Sequence, residues 1–333
     1  MQQIETFDLA LLARQLHRLS ATGNPIQVLK ERSSEGDLAR YIARVLSDVR
    51  GAKRPVVIAT AAMITRLLAV EAAAPNFKSA IGVVIRAARL SAQRRKPMRI
   101  PPLLLLGPPG VGKTYFARAV AIAIGTSVVE ISMNCADDAS ALSGHSLSWK
   151  GARVGAIARA LIEGASASPV FFVDEVDKAS WRDGLDPLNA FHSLLEPENA
   201  REFVDLFIDM PVRADHVMWI LAANDIQNIR PSLLDRLLVV RIEAPNSTQQ
   251  AVVLRSIYGK VVDHYGIAEP LADDVIAFLG DSSPRRARRL LELAMGFAAE
   301  RRSQELTPDD IRSAAMQLHS TGVKQVFGFH AAR

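Results

Sequence analysis

The chain has 333 residues, 49% hydrophobic and 23% charged, enough for two or three domains that each bury a core. No apolar run approaches the roughly 18–20 residues of a membrane span, and the opening Met1-Gln2-Gln3-Ile4-Glu5 lacks the basic and apolar regions of a secretory signal. One cysteine, Cys135, forms no internal disulfide, and zinc-type Cys/His spacing is absent, so a soluble protein of the reducing cytoplasm with no membrane partner is expected. The net charge of +5 hides an asymmetry: residues 1–100 carry 17 Lys and Arg against 7 Asp and Glu, and residues 101–333 carry 23 against 28. The basic excess reads either as a docking face for nucleic acid or an acidic partner, or as a solvated helical face.

In chain order, Leu9, Leu12, Leu16 and Leu19 recur at helical spacing and predict a helix between Ile4 and Leu19, stopped by Ala-Thr-Gly-Asn-Pro at 21–25. Stretches from Leu38 to Val49 and from Val56 to Ala74 also favour helix, giving a helical N-terminal domain over residues 1–74. After the break at Ala74-Pro75-Asn76-Phe77, a helix from Ser79 to Ala92 leads through Arg94-Arg95-Lys96-Pro97 to a first strand. Short apolar runs then alternate with helical stretches: Leu103–Leu106, Ser127–Ile131, Val170–Val173, Val217–Ala222 and Val239–Ile242. That alternation predicts an α/β domain with a parallel sheet covered on both faces, over residues 75–244. From 245 to 333 the pattern is helical, ending in a helix signalled by Thr307 as N-cap, Pro308 at its first position and Asp309-Asp310 in its first turn.

Between the first strand and the helix after it, Gly107-Pro108-Pro109-Gly110-Val111-Gly112-Lys113-Thr114 fits the P-loop pattern G-x-x-x-x-G-K-[ST] without mismatch. Glycines let backbone N–H groups turn toward phosphates, the helix N-terminus adds positive potential, Lys113 supplies a point charge, and Thr114 offers a hydroxyl to Mg²⁺. The expected ligand is a nucleoside triphosphate, ATP, with Mg²⁺. The run Val170-Phe171-Phe172-Val173 ends in Asp174-Glu175. Downstream of a P-loop, Asp174 is placed for the metal shell and Glu175 to orient or deprotonate the attacking water. The strand Met218-Trp219-Ile220-Leu221-Ala222-Ala223 ends at Asn224, which either reaches the γ-phosphate and the water or is a turn asparagine before Asp225.

With Pro231-Ser232-Leu233-Leu234-Asp235-Arg236 added, the series resembles the AAA+ ATPases. The resemblance implies a P-loop core with a C-terminal helical lid, an arginine finger, here Arg236, that completes a neighbouring subunit's site, and a phosphate-sensing lid arginine, here Arg285, with Arg286 as its competitor. Over residues 76–315 the chain is most similar to the ATPase module of the Lon protease family. That similarity is carried by Ser143-Gly144-His145-Ser146-Leu147-Ser148-Trp149-Lys150-Gly151, by Asp186-Pro187-Leu188-Asn189-Ala190-Phe191 through Leu195-Glu196-Pro197-Glu198-Asn199, and by Pro231 to Arg236. It implies an aromatic pore loop, with Trp149 in place of the usual tyrosine and Lys150 in place of an aliphatic residue. Trp181 falls where a second pore loop would lie, and Trp219, inside a strand, reads as core. A homo-oligomeric ring, a hexamer, is implied, acting on a protein substrate. The chain ends at Arg333, soon after its last helix, so no Ser–Lys peptidase domain and no protease activity are expected, and a separate peptidase or adaptor becomes a candidate partner. A DNA-directed motor and a nucleotide-dependent assembly platform are the alternatives.

Overall fold

The computed structural model describes residues 2–21, 33–135, 140–179, 188–265, 270–280, 282–303 and 305–320. They form two compact units. The first draws on residues 1–72, 77–109 and 113–242, and the second on 73–76, 110–112 and the chain from Glu243 onward. No single helix among the described residues is long and apolar enough to cross a membrane.

The first unit opens with a short strand β1 (Gln3–Glu5), then helices α1 (Leu9–Ala21) and α2 (Ser34–Leu46), a strand β2 (Lys53–Pro55) and helix α3 (Ala61–Ala73). The helix predicted from Ile4 starts later. Asp8 accepts the Ala10 and Leu11 amides at 2.8 and 3.0 Å, an N-terminal cap, and Ile4 pairs instead with Arg54 in an antiparallel ribbon. Val56 to Thr60 likewise stays out of α3: the Val56 amide donates to Gln2, and the Thr60 hydroxyl accepts from Met63. Phe7, Leu12, Ile42 and Val45 share one continuous hydrophobic core with residues of the α/β layer such as Leu161 and Phe171.

Helix α4 (Lys78–Arg94) leads to the central sheet, built from β3 (Leu103–Leu106), β4 (Val128–Ser132), β5 (Val170–Asp174), β8 (Met218–Ala223) and β9 (Leu238–Arg241). Among the described residues it has five strands in the order β4-β5-β8-β3-β9, all parallel. Burial follows that order. The four leucines of β3 and all six residues of β8 are buried on both faces, whereas the edge strands β4 and β9 are only partly covered. Leucine is a better helix former than strand former, but Pro101-Pro102 before β3 and Gly107-Pro108 after it leave no length for a helix. Helices α5 (Lys113–Ile124), α6 (Ser140–Ser143) and α7 (Ala156–Glu163) follow β3 and β4, and α8 (Phe191–Leu194), α9 (Pro197–Ala200) and α10 (Pro231–Leu234) flank β8.

Sequence reading missed a second antiparallel ribbon, β6 (Phe203–Asp205) with β7 (Met210–Val212). Its three-residue strands alternate buried, exposed, buried, but the last inward position of β6 is the charged Asp205, which breaks the apolar period. That carboxylate is fully buried and accepts the amides of Gly155, Phe207 and Ile208 at 2.8, 3.0 and 3.1 Å. Burial pushes its pKa up more strongly than the three N–H groups pull it down, so the residue is costly where it sits.

The second unit has its own core, with Leu254, Val275, Leu291 and Ile311 buried between α11 (Ser247–Tyr265), α12 (Asp273–Leu279), α13 (Pro284–Glu300) and α14 (Pro308–Ser320). The signals at the start of α14 operate as a reciprocal cap: Asp310 accepts the Thr307 amide and hydroxyl at 2.8 Å each, and the Thr307 hydroxyl accepts the Asp310 amide at 3.4 Å.

Asp205 generates a stability prediction. Asp205→Ala strands three buried amides and lowers unfolding stability by about 2–4 kcal/mol, read from urea denaturation. A change within experimental error would show that the carboxylate does not hold the ribbon.

Candidate nucleotide site

The site follows from the strand order. Because β5, β8 and β3 are consecutive neighbours and parallel, the P-loop after β3, the acidic pair ending β5 and Asn224 after β8 all emerge at the same edge of the sheet. The Gly107 amide donates to Ala223 at 3.1 Å, which ties the start of the loop to the end of β8. Glycine is required there, since a Cβ would stand 2.1 Å from the Ile242 carbonyl oxygen. Gly110 and Gly112 turn the loop with φ of +83° and +105°, values that disfavour any residue with a Cβ.

Lys113, the first residue of α5, is 8% exposed. Its ammonium donates to the carbonyls of Gly107 at 2.6 Å and Pro108 at 3.2 Å and to Asn224 Oδ1 at 2.8 Å. Burial lowers its pKa, and the nearby carboxylates of Asp174, Asp177 and Glu175 pull the other way. The Thr114 hydroxyl donates to Asp174 Oδ2 at 3.3 Å. Four residues marked by sequence, Lys113, Thr114, Asp174 and Asn224, thus meet in one cluster. Of the remaining loop residues, Val111 is 6% exposed and Pro109 follows Pro108 into the turn.

Glu175 leaves β5 with φ of +57°, a left-handed conformation unusual for a residue with a side chain and found where surrounding structure enforces it. Its amide donates to Asp174 Oδ1 at 2.9 Å. One carboxylate oxygen pairs with Lys178, and the Ser132 hydroxyl, at the end of β4, lies 3.5 Å from the other. Asp177 was not singled out by sequence. Its Oδ2 accepts the amides of Asn224 and Asp225 at 3.2 Å each and so fixes the turn that aims Asn224 at Lys113. Its third-place spacing from Asp174 in Asp-Glu-Val-Asp was the available signal.

Arg236 does not join the Lys113 group. Its Nη1 donates to the Ser232 carbonyl at 2.7 Å and its Nε lies 3.1 Å from Glu196 Oε1. Arg285 belongs to the second unit, exposed in the first turn of α13, whose N-cap Ser283 accepts the Arg286 amide at 3.4 Å.

Trp149 is 62% exposed on the loop from Gly144 to Gly155. That loop is closed at its base: His145 N–H donates to Arg153, Leu206 N–H to Ser143, and the Gly155 amide to buried Asp205. The Ser34 hydroxyl of α2 donates to the Trp149 carbonyl at 3.1 Å. Trp219 is 3% exposed and packs on Phe171 and Phe191, at ring separations of 5.1 and 5.5 Å. Trp181 lies outside the described residues.

Comparison with known proteins agrees with this geometry. Residues 103–245 match the AAA family, the ATPase family associated with various cellular activities. A Lon protease of Halothermothrix orenii is 33% identical over 222 residues, which cover 66% of this chain and 27% of that protein. Lon protease 2 of Thermus thermophilus is 39% identical over 157 residues, 45% of this chain and 20% of that one. The chain spans about a quarter of the length of the curated relatives it matches. Among solved structures, a RuvB mutant of Thermotoga maritima superposes with a TM-score of 0.51 at 15% identity over 73% of this chain and 70% of that one, a likeness of fold. Residues 103–245 are an AAA P-loop ATPase domain. Within that class the chain is related to the ATPase modules of Lon proteases.

The contrast between the two tryptophans is directly measurable. Trp149→Ala is expected to change stability by less than about 0.5 kcal/mol, as for an exposed side chain, and Trp219→Ala to cost roughly 3–5 kcal/mol. Urea denaturation of both variants checks this, and a comparable loss in the two would contradict the exposed placement of Trp149.

Proposed function

We propose that this chain is a Mg²⁺-dependent ATP hydrolase that works as a homo-oligomeric ring, a hexamer, and uses hydrolysis to remodel or unfold protein substrates. One observation carries the catalytic part: the Lys113 ammonium bonds Asn224 across adjacent strands while Thr114 meets Asp174 beside it. The three acceptors on Lys113 are neutral oxygens, and charged phosphate oxygens would outcompete them for the ammonium. A hydroxyl and a carboxylate 3.3 Å apart are hard oxygen donors of the kind Mg²⁺ prefers, so Thr114 and Asp174 are the residues that would hold it. Bound there, the ion would neutralise triphosphate charge.

In this reading Asn224 orients the attacking water and Glu175 takes its proton as the water oxygen bonds the γ-phosphorus and the bond to the bridging oxygen of ADP breaks. Arg236 stands apart from the cluster and is assigned to a neighbouring copy's site, where its charge stabilises the transition state. Arg285 is assigned to phosphate sensing, with Arg286 its competitor. Exposed on a loop between two glycines, Trp149 is assigned to gripping client side chains by apolar contact. The related Lon ATPase modules support a protein client, with an adaptor or separate peptidase as a further partner in the cytoplasm. The basic excess of residues 1–100 favours a second reading, a DNA-directed motor, which would be marked by DNA-stimulated turnover with steep salt dependence. A pure assembly platform would be marked by slow turnover with ATP-dependent ring formation.

Calorimetry and phosphate release test the assignment. Lys113→Ala should lose ATP binding, whereas Glu175→Gln should bind ATP and turn it over on the order of 10²–10⁴-fold more slowly. Normal turnover in Glu175→Gln removes it from the mechanism. For the client, Trp149→Ala should bring the ratio of turnover with and without an unfolded protein such as casein down to about one, and a ratio equal to wild type would reject the grip.

A further inference from the structure

Glu196 has no place in the chemistry described so far, yet it is the acidic partner that approaches the Arg236 guanidinium. Both backbones are pinned. Glu196 precedes Pro197, which favours the extended conformation observed for it, with φ −98° and ψ 113°. Its carbonyl accepts the Ala200 amide at 2.9 Å, the Ala200 carbonyl accepts the Ala214 amide at 2.8 Å, and Leu195 beside it is buried. Arg236 follows the turn α10, its amide donating to Leu233 at 3.1 Å, with Leu237 buried behind it. The guanidinium is held on two sides. Nη1 is committed to the Ser232 carbonyl, and Nε sits 3.1 Å from Glu196 Oε1. That Nε is buried and has no well-aligned acceptor, so its contact with Glu196 is an ion pair held by charge and not a directed hydrogen bond.

An arginine on a flexible stem loses much rotamer freedom when it enters a neighbour's site. Holding Nε and Nη1 in place spends part of that entropy beforehand, and Nη2 takes no part in either contact. The pair itself is half exposed, Arg236 at 32% and Glu196 at 45%, and a pair so exposed contributes little to folding. Its effect is therefore on where the charge stands.

We propose that Glu196 is the positioning residue for Arg236, presenting its guanidinium to the site of the adjacent copy of this chain. The inference rests on the assignment of Arg236 as a finger acting in trans. A competing arrangement, in which Glu196 sequesters Arg236 and restrains turnover, predicts the opposite sign.

The test is phosphate release by the full chain in mixtures. Glu196→Gln keeps shape and removes charge. Its kcat should fall about tenfold with KM for ATP within about twofold and an unchanged melting temperature, and Glu196→Asp should recover part of the loss. Adding Lys113→Ala chains, which carry an intact Glu196–Arg236 pair on a dead site, should raise turnover per Glu196→Gln chain several-fold, because the defect lies in what a chain lends its neighbour. Unchanged or faster turnover in Glu196→Gln, or a loss that mixing does not relieve, overturns the proposal. Arg236→Ala in the same mixtures separates the two layers: rescue of Arg236→Ala together with failure of the Glu196→Gln prediction removes only the role of Glu196. Absence of rescue for Arg236→Ala, where subunits demonstrably exchange, removes the finger in trans and the positioning role with it.

Discussion

The hydrogen bond from the Lys113 ammonium to Asn224 Oδ1 is the contact on which the site depends, because it joins the helix after one central strand to the end of the next. A buried ammonium is expensive, and the protein offsets that cost with three oxygen acceptors and the field of nearby carboxylates. A ligand that takes Lys113 competes with these three acceptors, Asn224 Oδ1 among them. Asp177 acts one step behind, fixing the Asn224 backbone so that release of the side chain need not move the strand end. In the proposed reading, a bound phosphate is thereby reported to Asn224, the residue assigned to the attacking water.

A second constraint operates at the Gly144–Gly155 loop. A Cβ at Gly144, with φ of +77°, would stand 2.9 Å from the Gly155 nitrogen and 3.0 Å from the Asp205 oxygens, so glycine is what lets the two ends of the loop close on a buried carboxylate. The fold tolerates the unfavourable burial of Asp205 there, and the loop tip with Trp149 stays exposed above a fixed base. In the proposed reading, that exposed aromatic tip is the part assigned to the client.

Much of this was readable from residues whose backbone or chemistry leaves few choices. The P-loop, the strand before it and the strands ending at Asp174 and Asn224 are short, apolar and bounded by proline, glycine or acid, so central-sheet position and site placement follow together. The Thr307 and Asp310 cap was legible for the same reason: it is a local pattern with one geometry. Long-range pairing was not legible. Ile4 looked helical because only its partner Arg54, far along the chain, makes it a strand, and the β6–β7 ribbon was obscured by one charged inward residue. The Glu196–Arg236 pair joins side chains forty residues apart and left no periodic trace, while Asp177 was masked by the stronger signal of the acidic pair before it.

In the proposed reading, completion of the site between copies makes turnover a property of assembly as well as of the fold. There Lys113, Thr114, Asp174, Glu175 and Asn224 are assigned to binding and base within one chain, and Arg236, paired with Glu196, stands outside that cluster. The most direct measurement is ATP turnover per chain as a function of protein concentration, with sedimentation in parallel. The account predicts that turnover per chain rises steeply as chains associate and then levels off. Turnover per chain that is constant from the dilute, monomeric range upward would contradict it.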